Sequence, residues 1–228
     1  MEARKEKLLN LVVTIYINSA EPVGSRFLVG KGGLECGEAT VRNELHDLEE
    51  EGYLTHPHTS AGRIPTEKGY MHYAQSIDLE KIKTTKKEKE FLEKSLAGSS
   101  EKDANSKMLA KALAEISVEA VIMAFGLDRV YYTGLSNLFN KPDFTDLRLV
   151  HDVSAVFDRC EECLQNFLED LGREPKFFIG KDNPFGEILG SVAFRFGEKS
   201  LLALVGPMRM DYAKNYALMA AAKKLLND

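Results

Sequence analysis

Arg42 and Asn43 stand side by side in the run Glu38-Ala39-Thr40-Val41-Arg42-Asn43-Glu44-Leu45-His46. Both residue types can read base edges, since a guanidinium spans guanine O6 and N7 and a carboxamide spans N6 and N7 of adenine. In the same run Val41, Leu45 and Leu48 fall at i, i+4 and i+7. A helix from about Glu38 to Glu51 would therefore bury those three and turn Glu38, Thr40, Arg42, Asn43 and His46 outward. That is the equipment of the second helix of a helix-turn-helix, whose N-terminal residues meet bases in the major groove. Upstream, Ser25 and Arg26 open a short helix and offer a hydroxyl, a guanidinium and free backbone N–H groups to phosphates. Downstream, Thr59, Ser60 and Arg63 lie in a tip punctuated by Pro57, Gly62 and Pro65, with Lys68 just beyond. Such donors suit a hairpin laid over the neighbouring minor groove.

Other chemistries find less support. His56 and His58 stand on the same hairpin without a paired cysteine set, which is weak as a metal site. Cys160 and Cys163 form a single C-x-x-C at helical spacing, with neither a second pair nor a strand-turn context, and read as buried thiols. Lys31-Gly32-Gly33 lacks the full phosphate-loop pattern. No Ser/His/Asp set and no carboxylate pair can be given catalytic roles. The expectation is a non-enzyme with no metal and no cofactor.

The elements that must position the DNA-facing residues can be read around them. Leu8, Leu11, Val12, Ile15 and Tyr16 make the stripe of a first helix from Ala3 to Ser19, broken by Glu21-Pro22-Val23-Gly24. Ser25 can cap a second helix over Arg26 to Val29, ended by Gly30 and the glycines after it. Gly52 stops the third helix. Tyr53-Leu54-Thr55 and Arg63-Ile64 then flank the polar tip as a strand-loop-strand hairpin. Helix, helix, helix and hairpin in that order predict a winged helix over residues 1–78. Residues 79–105 are dense in Lys, Glu and Ser and predict a solvated helix running into a linker at Ala97 to Asn105. Residues 106–228 predict a second domain. It should hold a helix over Lys107 to Ser117, strands at Val118–Phe125, Val130–Leu135, Lys176–Ile179, Val192–Phe196 and Leu201–Val205, a helix from Asp146 to Leu171, and a last helix from Tyr212 to Leu226. The fold class is thus mixed α/β (α+β), with a small mixed or antiparallel sheet in the second domain.

The net charge of −5 argues against nucleic acid, because non-specific DNA affinity comes from Lys and Arg neutralising phosphates. Residues 1–78 hold eight basic side chains against twelve acidic ones. Arrangement answers composition here: Glu44, Asp47, Glu49, Glu50 and Glu51 crowd the far end of the third helix, away from its reading end. Three cysteines, an odd number, fit a reducing compartment. No apolar run reaches about 18 residues and no signal peptide is visible, so a cytoplasmic protein with no membrane partner is expected.

Glu21-Pro22-Val23-Gly24-Ser25-Arg26, the run Ala39 to Glu49, Pro57-His58-Thr59-Ser60-Ala61-Gly62-Arg63-Ile64-Pro65-Thr66, and Lys68-Gly69-Tyr70 together closely resemble the heat-inducible transcription repressor family called HrcA. The resemblance returns at Tyr132-Thr133-Gly134-Leu135-Ser136-Asn137-Leu138, at Phe178-Ile179-Gly180-Lys181-Asp182-Asn183-Pro184 and over Val205 to Ala213. It implies a dimer on an inverted-repeat operator before chaperone genes, a GAF-like second domain serving dimerisation or regulation, and folding assistance from the chaperonin. It also implies that most of the family's inserted dimerisation segment is missing, since Leu109 to Ser117 reaches the Tyr132 motif after only a short bridge. Two rival functions stand beside a repressor of heat-shock genes. One is a small-molecule sensor acting through the same DNA reader, and the other is a winged helix used for protein contacts only.

Overall fold

The computed structural model describes residues 2–31, 36–58, 61–96, 102–126 and 129–227 and divides into two compact units, Met1–Ile77 and Asp78–Asp228. The fold is mixed α/β, with antiparallel sheets in both units. Among the described residues no helix is long and apolar enough to cross a membrane.

In the first unit α1 spans Ala3–Ser19, α2 Ser25–Lys31 and α3 Glu38–Glu50; β1 (Leu54–Thr55) and β2 (Ile64–Pro65) pair antiparallel, and α4 covers Glu67–Ser76. This is a winged helix with a further helix behind the wing. Leu8, Leu9, Val12 and Val13 of α1 are buried, as are Val41, Leu45 and Leu48 of α3, which touches α1, and Leu28, Leu54, Tyr70 and Ala74. Leu11, Ile15 and Tyr16, expected in the stripe of α1, are only half-buried. Helix α1 ends where Ala20 turns left-handed and its N–H bonds the Tyr16 carbonyl. Helix α4 carries a true N-cap: Thr66 Oγ1 accepts from Gly69 N at 3.2 Å and donates to the Gly52 carbonyl at 2.7 Å.

In the second unit α5 (Lys86–Ser95) and α6 (Lys102–Ser117) precede β3 (Ala120–Phe125) and β4 (Val130–Thr133). Then come α7 (Leu135–Phe139), α8 (Leu147–Asp158), α9 (Cys160–Asp170), β5 (Lys176–Ile179), β6 (Leu189–Arg195), β7 (Ser200–Pro207) and α10 (Tyr212–Asn227). The sheet order is β4-β3-β7-β6-β5, every neighbour antiparallel. Both faces of β7 are buried. Leu201, Ala203 and Val205 pack with Leu138, Phe157, Leu164 and Phe167 under the α7–α9 layer, while the opposite face takes Leu202 and Leu204. Helices α6 and α10, which touch β3 and β6, cover the side away from that layer.

Several expected elements differ: α2 includes Ser25, expected as its cap, and runs on through Gly30 to Lys31, and β6 starts at Leu189 rather than Val192. Helix α6 begins at Lys102, inside the stretch expected as linker; of that stretch, residues 97–101 lie outside the described residues. The single helix expected over Asp146 to Leu171 breaks at Arg159, where φ is −115° and ψ 20°. Buried Val153, Phe157, Leu164 and Leu168 keep a continuous helical phase through that break, so periodicity could not show it. Cys163 is half-buried, less enclosed than expected, and the side chain of Cys160 lies outside the described residues.

Candidate nucleic-acid interface

The candidate reading face is that of α3. With Val41, Leu45 and Leu48 turned into the core, Thr40, Arg42, Asn43 and His46 are exposed and Glu38 is half-buried at the helix start. The Arg42 side chain is 71% exposed, yet its Nη2 donates to Glu38 Oε1 at 3.0 Å one turn back. The same carboxylate oxygen accepts from Ser25 Oγ at 3.4 Å, so the first residues of α2 and α3 share one acceptor. Arg26 is exposed beside Ser25 at the start of α2.

The wing reaches this face through a close backbone contact. Arg63 N donates to the Val23 carbonyl at 2.8 Å and Val23 N to the Arg63 carbonyl at 2.9 Å. A Cβ at Gly62 would lie 2.5 Å from the Val23 carbonyl carbon, so glycine is required for the approach. Val23, Gly24, Ser25, Arg42, Gly62 and Arg63 thereby line a groove of about 360 Å³, which gathers α2, α3 and the wing. Thr59 and Ser60, expected at the wing tip, lie outside the described residues.

Lys68 stands elsewhere. Its Nζ donates to the Glu51 carbonyl at 2.7 Å, just past the end of α3, and lies 4.2 Å from the centre of the Tyr53 ring. There a cation meets the helix's negative end. Part of the unit's acidic set is ion-paired within it. Arg4 pairs with Glu44 at 2.8 Å, and Lys5 bridges Asp47 at 2.9 Å and Glu51 at 3.0 Å. Hydrogen bonds that Lys5 donates to those two carboxylates hold its ammonium above the ordinary lysine range. Sequence reasoning missed one constellation, in which Glu49 meets both His56 and Arg63. Nothing local signals it, because the partners are brought together only by the wing's fold-back.

The second unit carries a buried polar cluster. Glu119, at the start of β3, is almost wholly enclosed, with Lys141 Nζ 2.5 Å from its Oε2. Asp143 is held by Arg209 at 2.7 Å. Burial pushes the Glu119 carboxyl up to about 7, opposed by Lys141, Asn215 and Arg209. Tyr212, fully buried nearby, donates to the Met208 carbonyl at 2.6 Å. Tyr212 and Asp211 thus tie the β7–α10 turn together, with Asp211 Oδ1 capping Lys214 N, while Arg209 links that turn to Asp143.

Three helices followed by a paired wing, with base-reading side chain types exposed on the third helix, define the class: a winged-helix protein whose chain continues into a GAF-like α/β unit. The chain belongs to the HrcA family, whose description, HrcA protein C terminal domain, matches residues 66–215. Its relatives carry the name heat-inducible transcription repressor HrcA. That of Cutibacterium acnes is 42% identical over 125 residues, 55% of this chain and 37% of the relative. That of a Thermoanaerobacter species is 54% identical over 77 residues, 34% of this chain and 22% of the relative. That of Carboxydothermus hydrogenoformans is 49% identical over 94 residues, 41% and 27% of the two chains. The matched segments therefore span 22% to 37% of these relatives' own length. These relatives are named as repressors, not as enzymes. A solved chain described as a hypothetical protein shares the fold, with a TM-score of 0.82 at 18% identity over 100% of this chain and 98% of that one.

Proposed function

We propose that this chain is a cytoplasmic DNA-binding repressor of heat-shock and chaperone genes that reads an inverted-repeat operator as a homodimer. The observation that carries the reading is the convergence of Ser25, Arg42 and Arg63 on one groove beside the exposed Arg42 and Asn43. In this account α3 enters the major groove, where Arg42 chelates a guanine and Asn43 an adenine, with Glu38, Thr40 and His46 beside them. Ser25 and Arg26 hold phosphates at the start of α2, and Thr59, Ser60 and Arg63 bring the wing to the adjoining groove. Lys68 serves the reader from the end of α3. Two readers related by a two-fold axis match the two half-sites, and the second unit supplies the pairing. Heat relieves repression by melting that unit, which leaves each reader with one half-site. Chaperonin assistance in reaching the active form would tie repression to free chaperonin.

Footprinting of the purified chain on DNA upstream of its own gene and of nearby chaperone genes tests the proposal. Protection of two half-sites about one helical turn or a multiple apart is expected. Uniform, salt-labile binding with no protected site on any of them would reject it.

A further inference from the structure

The wing is a short hairpin of two residues per strand, and one of them, Pro65, has no N–H to give. A hairpin of that size is marginal by itself, so its angle against α3 depends on what its two legs are fastened to. One side chain fastens both. Glu49, in the last turn of α3, meets His56 Nδ1 through Oε1 just after β1. Its Oε2 takes a 2.7 Å bond from Arg63 Nη2 just before β2. The Glu49 and Arg63 side chains are only 18% and 22% exposed, so the pair is screened less than a surface one. Arg63 Nε is buried with no hydrogen-bond partner among the described residues, a donor left over from this arrangement.

We infer that Glu49 is a positioning and specificity-determining residue of the DNA interface: its carboxylate holds the wing's guanidinium in register with the reading helix and withholds it from phosphates that are not in place. The inference rests on the DNA-reading proposal above. Non-specific affinity grows with each cation that displaces counterions from DNA. A guanidinium already neutralised by an internal carboxylate contributes little of this on random sequence. On the operator, base contacts by α3 bring the backbone to the wing, and the guanidinium of Arg63 trades its carboxylate partner for a phosphate oxygen that is in place. Glu38 holds Arg42 in the same manner at the other end of α3. Carboxylates that oppose binding in a charge count thus act on discrimination, by raising the cost of the wrong partner more than that of the right one.

The test uses the full chain and its Glu49→Gln variant, titrated against the footprinted operator duplex and a scrambled duplex over a salt series. Scrambled-DNA affinity is expected to rise severalfold and its salt slope to steepen by about one contact. The operator-to-scrambled ratio should fall roughly tenfold, the size of one lost or gained charge-assisted contact. A folded variant with the wild-type ratio and slope overturns the inference. Should Glu49→Gln fail to fold, Glu49→Asp, which keeps the charge but is one methylene too short to span both legs, is read in the same assay. A reduced ratio supports the inference and a wild-type ratio overturns it. Failure of the DNA reading itself looks different: the wild-type chain then prefers no duplex at any salt, and Arg63→Ala changes nothing.

Discussion

Arg42 lies one turn beyond Glu38 on α3, and its guanidinium rests on that carboxylate at 3.0 Å. The contact is exposed, so it stores little energy. Replacing Arg42 with Ala should cost about 1 to 3 kcal/mol on the operator and relax the preference at one base position in each half-site. Competition binding against single-base operator variants measures this. Equal weakening of every sequence would make Arg42 a backbone contact.

Lys68 gives a contrasting expectation, because its ammonium is engaged on the Glu51 carbonyl and the Tyr53 ring. Lys68→Met should lower the stability of the reading unit by about 1 kcal/mol, through the lost helix-end charge and cation–π contact. Chemical denaturation followed by tyrosine fluorescence reads the stability, and the salt slope of DNA binding should stay as in the wild type. An unchanged stability with a slope lower by about one would place the ammonium on a phosphate.

The Glu119 carboxyl, pushed by burial from 4.5 up to about 7, links stability to pH. The folded form keeps the proton over a range in which the unfolded chain has already released it. The group's contribution is therefore fully present below 4.5 and is lost as pH rises through about 7. Glu119→Gln cannot titrate. The stability difference between wild type and variant should shift against the wild type from pH 4.5 to 7 and level off above. Denaturation midpoints across that range give the result, and a difference independent of pH would contradict the burial effect.

Much of this was legible in the sequence, for reasons that differ by element. Helix α1 runs from Ala3 to Ser19 as its apolar spacing and the Glu21-Pro22 break require. Helix α3 stops one residue short of the expected Glu51, ahead of Gly52. Strands β3, β6 and β7 were visible only as apolar runs, since helices cover both faces and erase the alternation that would fix register. Helix α4 was hidden behind the Pro65-Thr66 turn, and α7 by its length of five residues. Of the site, the outward residues of α3 follow from periodicity alone. The Glu38 bridge to Ser25 and the Glu49 bridge to the wing do not, because both join residues that only the tertiary fold brings together.

Whether α3 reads a two-fold DNA sequence is decided by letting the protein choose its own duplex. Duplexes bound by the full chain are selected from a random pool and sequenced, and the mass of the complex on the winning duplex is measured by sedimentation. An inverted repeat bound by two protomers is expected, with one symmetric pair of positions losing its preference when Arg42→Ala is selected in parallel. A pool with no enriched sequence, or the same enrichment for wild type and Arg42→Ala, would contradict it.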